Sequence, residues 1–226
     1  MHAVVVGGGI VGLSCAYSLA ERGVEVVLCE TGSIGGESTQ RSAGGIRTQF
    51  ATRVNVDLSL ASLAVWDEFA ERFDVDIAHR QTGYLFFTRE EATAGDFREN
   101  VALQNERGGR SEYLDPGETT AYAPGIHSEE FIAATYSPLD GFADPNLATQ
   151  GYSQAFGDSV TVLTKTPVED VIIENGTVRG VETLDERIPT DVVVDAAGAW
   201  AGRVAAMADV SLPIEPKRRQ ALIANP

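Results

Sequence analysis

The sequence predicts an α/β fold: a parallel sheet opened by a strand–turn–helix–strand unit, with a second domain inserted before the sheet is completed. Three observations carry this. The first thirty of 226 residues run apolar strand, glycine turn, apolar helix, apolar strand. A later apolar strand, 192–194, again enters a glycine turn. Between them, residues 80–140 read as strands and helices of a separate region.

The opening unit is the most informative. Val4, Val5 and Val6 form the core of a short strand, and Gly7, Gly8, Gly9, Ile10, Val11 and Gly12 follow it directly. Helical periodicity runs from Ile10 to Leu19 and ends near Gly23, and a second strand from Val24 to Cys29 stops at Glu30. Strand, G-x-G-x-x-G, helix, strand, acid is the layout of a Rossmann-like dinucleotide-binding βαβ unit. Gly7 permits the tight turn, Gly9 leaves room for a pyrophosphate, and Gly12 lets the helix pack close to the sheet. Ile10 and Val11 open the helix whose free N–H groups and positive dipole end face the phosphates. Glu30 is placed to accept both adenosine ribose hydroxyls, and its charge disfavours a 2′-phosphate, so NADP is not expected.

Residues 31–50 are rich in Gly, Ser and Thr, a composition suited to phosphates and to a flat ring system. Helical periodicity returns over 53–73, with Trp66 and Phe69 read as core. Residues 83–88 read as a strand, 90–104 as a helix, 111–126 as a short helix between turns, and 131–136 as a strand. Asp144-Pro145 caps and starts a helix over 146–156. A strand at 160–163 follows. Then comes a hairpin, 168–174 and 177–184, joined by Asn175-Gly176. The 192–194 strand leads into Asp195-Ala196-Ala197-Gly198-Ala199-Trp200 and a helix through Met207. The first βαβ unit is expected to share its sheet with the 192–194 strand.

Hydrophobic residues make up 43%, enough for a substantial core. No stretch reads as a signal peptide or spanning helix. Cys15 and Cys29 read as small buried hydrophobes, and a reducing cytoplasm is the expected compartment. The net charge of −16, from 17 basic and 33 acidic residues, excludes nucleic acid as a general partner. Only Lys165 and Lys217 are lysines, and this acidic, lysine-poor surface suggests a salt-loving source. No Cys/His spacing suggests a metal site; His79 and His127 read as surface or structural residues.

Four segments together resemble the FAD-dependent amine and amino-acid oxidoreductases, the family of D-amino-acid oxidase, glycine oxidase and sarcosine oxidase. They are VVVGGGIVGLSCAYSLAERGVEVVLCE, STQRSAGGIRTQF, SPLDGFADP and VRGVETLDERIPTDVVVDAAGAWAG; the closing IEPKRRQALI adds to them. The resemblance implies a doubly wound Rossmann-like FAD-binding domain with a partial inserted mixed-sheet substrate domain. On that basis 1–79 and 141–208 form the FAD-binding domain, 80–140 the partial substrate domain, and 209–226 the start of a return to it. It implies that Ser38, Thr39, Arg41 and Ser42 pass the pyrophosphate and ribityl chain. Ala43, Gly44, Gly45 and Ile46 would run beside the flavin ring, the Val168 backbone would meet adenine, and Ala197, Gly198 and Trp200 would close the rear of the FAD site. Arg47 is the candidate catalytic residue: a similarly placed arginine in sarcosine oxidases pairs with the substrate carboxylate, and a salt bridge or a flavin contact is the alternative. The expected reaction oxidises the CH–NH bond of a small amino acid or secondary amine to an imine, with oxygen or an electron carrier as acceptor.

Two other readings stay open. An NAD-dependent dehydrogenase fits the first thirty residues but not the 38–47 segment or the 195–200 turn. A catalytically incomplete FAD-binding fragment or subunit, with a possible partner subunit, fits the expectation that family members continue well beyond residue 226.

Overall fold

The computed structural model describes residues 1–218 and 220. They form two compact units. One takes Met1–Ser42, Phe73–Val75 and the described chain from Pro145 onward, and the other takes Ala43–Arg72 and Asp76–Asp144.

The chain begins with β1 (His2–Val6), α1 (Ile10–Ala20) and β2 (Glu25–Glu30). Next come β3 (Gly45–Ile46), α2 (Arg53–Asp67), α3 (Phe69–Phe73), β4 (Tyr84–Thr88), α4 (Glu91–Glu106), β5 (Glu112–Leu114), β6 (Ala133–Ser137) and β7 (Gly141–Phe142). It continues with α5 (Pro145–Ala155), β8 (Val160–Thr164), β9 (Val168–Glu174), β10 (Thr177–Thr183), β11 (Arg187–Pro189), β12 (Val192–Asp195) and α6 (Ala201–Ala206).

In the first unit β12, β1, β2 and β8 form one parallel sheet in that order. The strand before Gly198 therefore does pair with β1, as the sequence implied. Pleating sends alternate side chains to opposite faces. Val4, Val6 and Cys29 join Val171, Val181, Ile188 and Val204 in one apolar layer. Val171, Val181 and Ile188 come from the antiparallel sheet β11-β10-β9, which covers that face. Val5 and Leu28, fully buried, point to the other face, where α1 lies with Leu13 and Ala16 buried. Both faces are covered, so the strands read as nearly unbroken apolar runs. Each such side chain contributes about 1.5–3 kcal/mol by leaving water. Tyr17, Phe73 and Tyr152 pack their rings together at centroid distances of 4.8–5.8 Å.

The second unit is built on the antiparallel sheet β4-β6-β5, with α4 against it and α2 beside α4. Arg107 holds Asp57 through two 2.7 Å hydrogen bonds between these helices. The helix expected over 53–73 breaks at Glu68, and fully buried Phe69 stacks on Trp66 across the break. The region 111–126 is not a helix between turns alone. It opens with β5, then a 3₁₀ turn over Pro116–Ala121 closed by a capping box between Asp115 and Glu118. A small ladder, β3 with β7, pairs Gly45 with Phe142 and Ile46 with Gly141. Residues 209–218 carry no helix or strand, and the remainder of the return expected over 209–226, at 219 and 221–226, lies outside the described residues.

Candidate functional site

The chain leaves β1 for β2 on one side and returns in β12 on the other, so β1 marks a reversal of strand order. In open parallel sheets the crevice beyond the strand ends at such a point is where ligands bind. Gly7 and the Ala196–Gly198 turn stand there. Gly7 has φ +110°, and a Cβ on it would lie 2.5 Å from the Ala196 carbonyl oxygen. A Cβ on Gly12 would lie 1.9 Å from the Gly7 carbonyl oxygen, so the missing side chain lets α1 abut the turn. Gly9 caps α1 without a side chain, and the first turn carries no acidic residue. Ile10 and Val11 therefore open a helix end suited to an anion, with Val11 exposed.

The segment after β2 coils against this turn. The Gly35 N–H donates to the Gly8 carbonyl (2.9 Å), and the Ile10 N–H donates to Thr39 Oγ1 (3.1 Å). Ser38, Thr39, Arg41 and Ser42 lie in successive turns. The Arg41 guanidinium is paired with Glu37 one turn back. Glu30 stands at the end of β2 with its carboxylate ordered by backbone: Oε2 accepts from the Gly8 N–H (2.7 Å) and Oε1 from the Gly32 N–H (2.6 Å). Each oxygen keeps a second lone pair for a ribose hydroxyl. The Thr166 N–H donates to the Glu30 carbonyl (2.9 Å), which brings the start of β9 and Val168 to the same strand end. Ala197 packs against the Val4–Val204 layer, Gly198 has φ +56°, and Trp200 is 44% exposed at the end of the 3₁₀ turn Gly198–Trp200.

In the second unit Ala43 and Gly44 lead into β3, which holds Gly45 and Ile46, and the Gly44 carbonyl accepts from the Ala143 N–H (3.0 Å). Arg47 follows, exposed, with its guanidinium carbon 5.9 Å from the centre of the Tyr84 ring and 5.7 Å from that of Phe86. Tyr84 and Phe86 are two apart on β4 and so share a face. Among the described residues no carboxylate pairs with Arg47. The sequence reading missed the residues that hold this segment: Thr48, Ser137 and Asp140, all buried. Thr48 lies in the STQRSAGGIRTQF segment, and Ser137 and Asp140 lie in SPLDGFADP, which read as a turn.

The expected site residues thus fall into two sets. Gly7, Gly9, Ile10, Val11, Gly12, Glu30, Ser38, Thr39, Arg41, Ser42, Val168, Ala197, Gly198 and Trp200 belong to the first unit, and Ala43 through Arg47 to the second. A cavity of about 280 Å³ in the second unit, lined by Trp66, Asp67, Ile77 and His79 among others, contains none of them. His79 is 10% exposed there and bonds Asp67 through Nδ1 at 3.2 Å. Among the described residues no cluster of three or more His, Cys, Asp or Glu is placed to hold a metal, and no helix is long and apolar enough to cross a membrane.

The profile of the family described as FAD dependent oxidoreductase matches residues 2–226. The chain belongs to that family. The FAD-dependent oxidoreductase domain-containing protein 1 of Xenopus laevis is 29% identical over 98% of this chain and 53% of its own length. The glycine oxidase of Geobacillus kaustophilus is 28% identical over 97% of this chain and 60% of its own length. The solved L-proline dehydrogenase from P. horikoshii is 37% identical and superimposes with a TM-score of 0.83 over 92% of this chain and 56% of that one. The chain therefore spans about half to three-fifths of the length of these relatives. The cofactor of the family is FAD, and the residues of the first unit fit it. The side-chain-free turn at Gly7–Gly9, the acid-free helix end and the pre-ordered Glu30 carboxylate suit its pyrophosphate and adenosine ribose.

Proposed function

We propose that the protein is an FAD-dependent oxidoreductase that oxidises the CH–NH bond of a small amino acid or secondary amine to an imine. When bound, FAD supplies the acceptance of two electrons from the carbon beside the nitrogen. This chain's residues bind and orient. The α1 N-terminus takes the pyrophosphate, Glu30 takes the adenosine ribose, and Arg47 takes the substrate carboxylate.

The observation that carries the reading is Arg47. Its guanidinium lies over two aromatic rings, without a carboxylate partner among the described residues, in a chain with nearly twice as many acids as bases. A guanidinium offers a rigid fork that matches a planar carboxylate through two parallel hydrogen bonds. The rings restrict its motion, so less freedom is lost when the carboxylate arrives. The names of the relatives support the same class: glycine and L-proline are both amines with a carboxylate on the adjacent carbon.

The test uses protein loaded with FAD, mixed without oxygen with glycine, sarcosine, L-proline and D-alanine, and followed by loss of flavin absorbance. At least one is expected to bleach the flavin. Arg47→Ala is expected to raise KM by about 10- to 100-fold, the loss of one charged hydrogen-bonded pair. Bleaching by none of the four, or an unchanged KM in Arg47→Ala, overturns the proposal.

A further inference from the structure

Asp140 is completely buried, and no arginine or lysine pairs with it among the described residues. Its Oδ1 accepts from the Thr48 N–H (2.8 Å) and from the Thr48 hydroxyl (2.6 Å). Its Oδ2 accepts from Gln49 Nε2 (3.2 Å). The same Gln49 amide donates to the Tyr84 carbonyl (3.0 Å). The Asp140 carbonyl accepts from the Gly83 N–H (2.8 Å). The Thr48 oxygen lies 3.2 Å from Ser137 Oγ, and both residues are buried. One residue thus binds the two that follow Arg47. Through Gln49 and its own carbonyl it also binds the start of the strand that carries Tyr84 and Phe86.

Those are the two halves of the Arg47 arrangement: the backbone that carries the guanidinium and the rings beneath it. We infer that Asp140 is a positioning residue for substrate binding, which sets the direction of Arg47 by fixing segment 47–49 against the start of β4. The inference rests on the reading that Arg47 takes the substrate carboxylate. A buried acid without a cationic partner is a costly way to close a turn. Here every group that reaches it donates, so no neutral residue of the same size satisfies all three donors. An asparagine in its place keeps an acceptor for Thr48 but turns an NH₂ towards the Gln49 amide. Gln49 must then rotate and release the Tyr84 carbonyl. Gln49 Oε1 is buried with no partner, so it can accept from that NH₂ once the amide has turned. Asp140→Asn therefore leaves the turn filled while loosening the link to β4.

The test compares Arg47→Ala, Asp140→Asn and the double variant as FAD-loaded protein, using whichever of glycine, sarcosine, L-proline and D-alanine bleaches the parent fastest. Asp140→Asn is expected to raise KM by about 5- to 20-fold with kcat within about two-fold, the range for weakening rather than losing a charged contact. The double variant is expected to match Arg47→Ala, because Asp140 acts only through that side chain. Thr48→Val, which removes one of the three donors and keeps the N–H, is expected to show a smaller rise in KM. It carries the test if Asp140→Asn does not fold. If Arg47→Ala leaves KM unchanged, the carboxylate reading fails. If Arg47→Ala raises KM while neither Asp140→Asn nor Thr48→Val does, or if the double variant's KM is the product of the two single effects, the positioning role of Asp140 fails alone.

Discussion

Gly12→Ala sets two opposed effects against each other. Gly12 lies in the first turn of α1. In an unconstrained helix, alanine there would be favoured by about 0.8–1 kcal/mol. The Cβ it adds would stand 1.9 Å from the Gly7 carbonyl oxygen, where real Cβ contacts essentially never fall below 3.0 Å. Turn and helix must therefore separate by about 1.1 Å or more in a layer that is already close-packed. Overpacking of this kind costs about 1–3 kcal/mol, and the obstructing atom is backbone that cannot rotate aside. The clash offsets or outweighs the propensity, and a net loss of up to about 2 kcal/mol is expected. The same displacement moves the Val11 N–H away from the Gly7 turn, together with the Ile10 N–H that Thr39 Oγ1 already engages. FAD affinity is expected to fall by about 10- to 100-fold, the equivalent of one or two misaligned charge-assisted hydrogen bonds.

The assay is thermal unfolding of the apo protein together with fluorescence titration of FAD. Gly95→Ala is the control, because it too lies in a helix but nothing stands within 4 Å of its new Cβ. It is expected to stabilise by about 0.5–1 kcal/mol without changing FAD binding. A Gly12→Ala protein as stable as Gly95→Ala, with parental FAD affinity, would refute the close approach of helix and turn.

Glu30→Gln replaces one acceptor oxygen with a donor facing either the Gly8 or the Gly32 N–H. It is expected to weaken FAD binding by about 10-fold or more in the same titration, because one ribose hydroxyl loses a charged acceptor. Burial, with the negative charge of Glu186 adding to it, pushes the Cys29 thiol up to about 11. A thiol reagent at pH 8 is expected to modify Cys15 in the native protein and Cys29 only on unfolding. Because the native state holds that proton beyond the ordinary thiol range, stability due to Cys29 is fully present below about pH 9. It is lost as pH rises towards 11. Cys29→Ala should flatten that alkaline decline in melting temperature. The hydrogen bond from Arg107 holds the Asp57 carboxyl below its ordinary value. Its contribution is present above the usual carboxylate pKa and is lost as pH falls through the lowered one, so Asp57→Asn should reduce the drop in melting temperature between pH 5 and pH 3.

The parts of this fold that could be read from sequence are those long enough to show a period. β1, α1 and β2 repeat their apolar pattern over five to eleven residues, and the glycines between them have a backbone reason to be there. The Asn175-Gly176 turn was equally legible, since both residues adopt the positive φ that such a hairpin turn needs. β3 and β7 are two residues each, and β5 and β11 three, and no alternation can be seen in so few. Their existence follows from partners far along the chain. The same holds for Asp140, which reads locally as an acid in a solvated turn. Its burial is visible only once Thr48, 92 positions earlier, is seen to donate to it. Glu30 was legible as the acid at a strand end. Its two backbone donors were not, because they depend on how the segment after β2 folds back.

FAD carries negative phosphates, and this chain carries a net charge of −16. Their encounter must be opposed at long range and favoured only at contact. The contact side is local: the α1 N-terminus has no acid in its first turn, and the Glu30 carboxylate at the end of β2 is engaged by two N–H groups. Arg41 adds little attraction, because Glu37 already pairs with it. The repulsive side comes from charges spread over the surface, which salt screens with a decay length of about 10 Å at 0.1 M and 3 Å at 1 M. The helix end acts at hydrogen-bond distance and is screened far less. Added salt should therefore speed FAD association, the reverse of the usual slowing for a charged ligand attracted to an oppositely charged site. Stopped-flow quenching of flavin fluorescence between 0.02 M and 1 M salt would measure this. An association rate that falls with salt would mean that a positive local field dominates the approach, and that the acidic surface has no part in it.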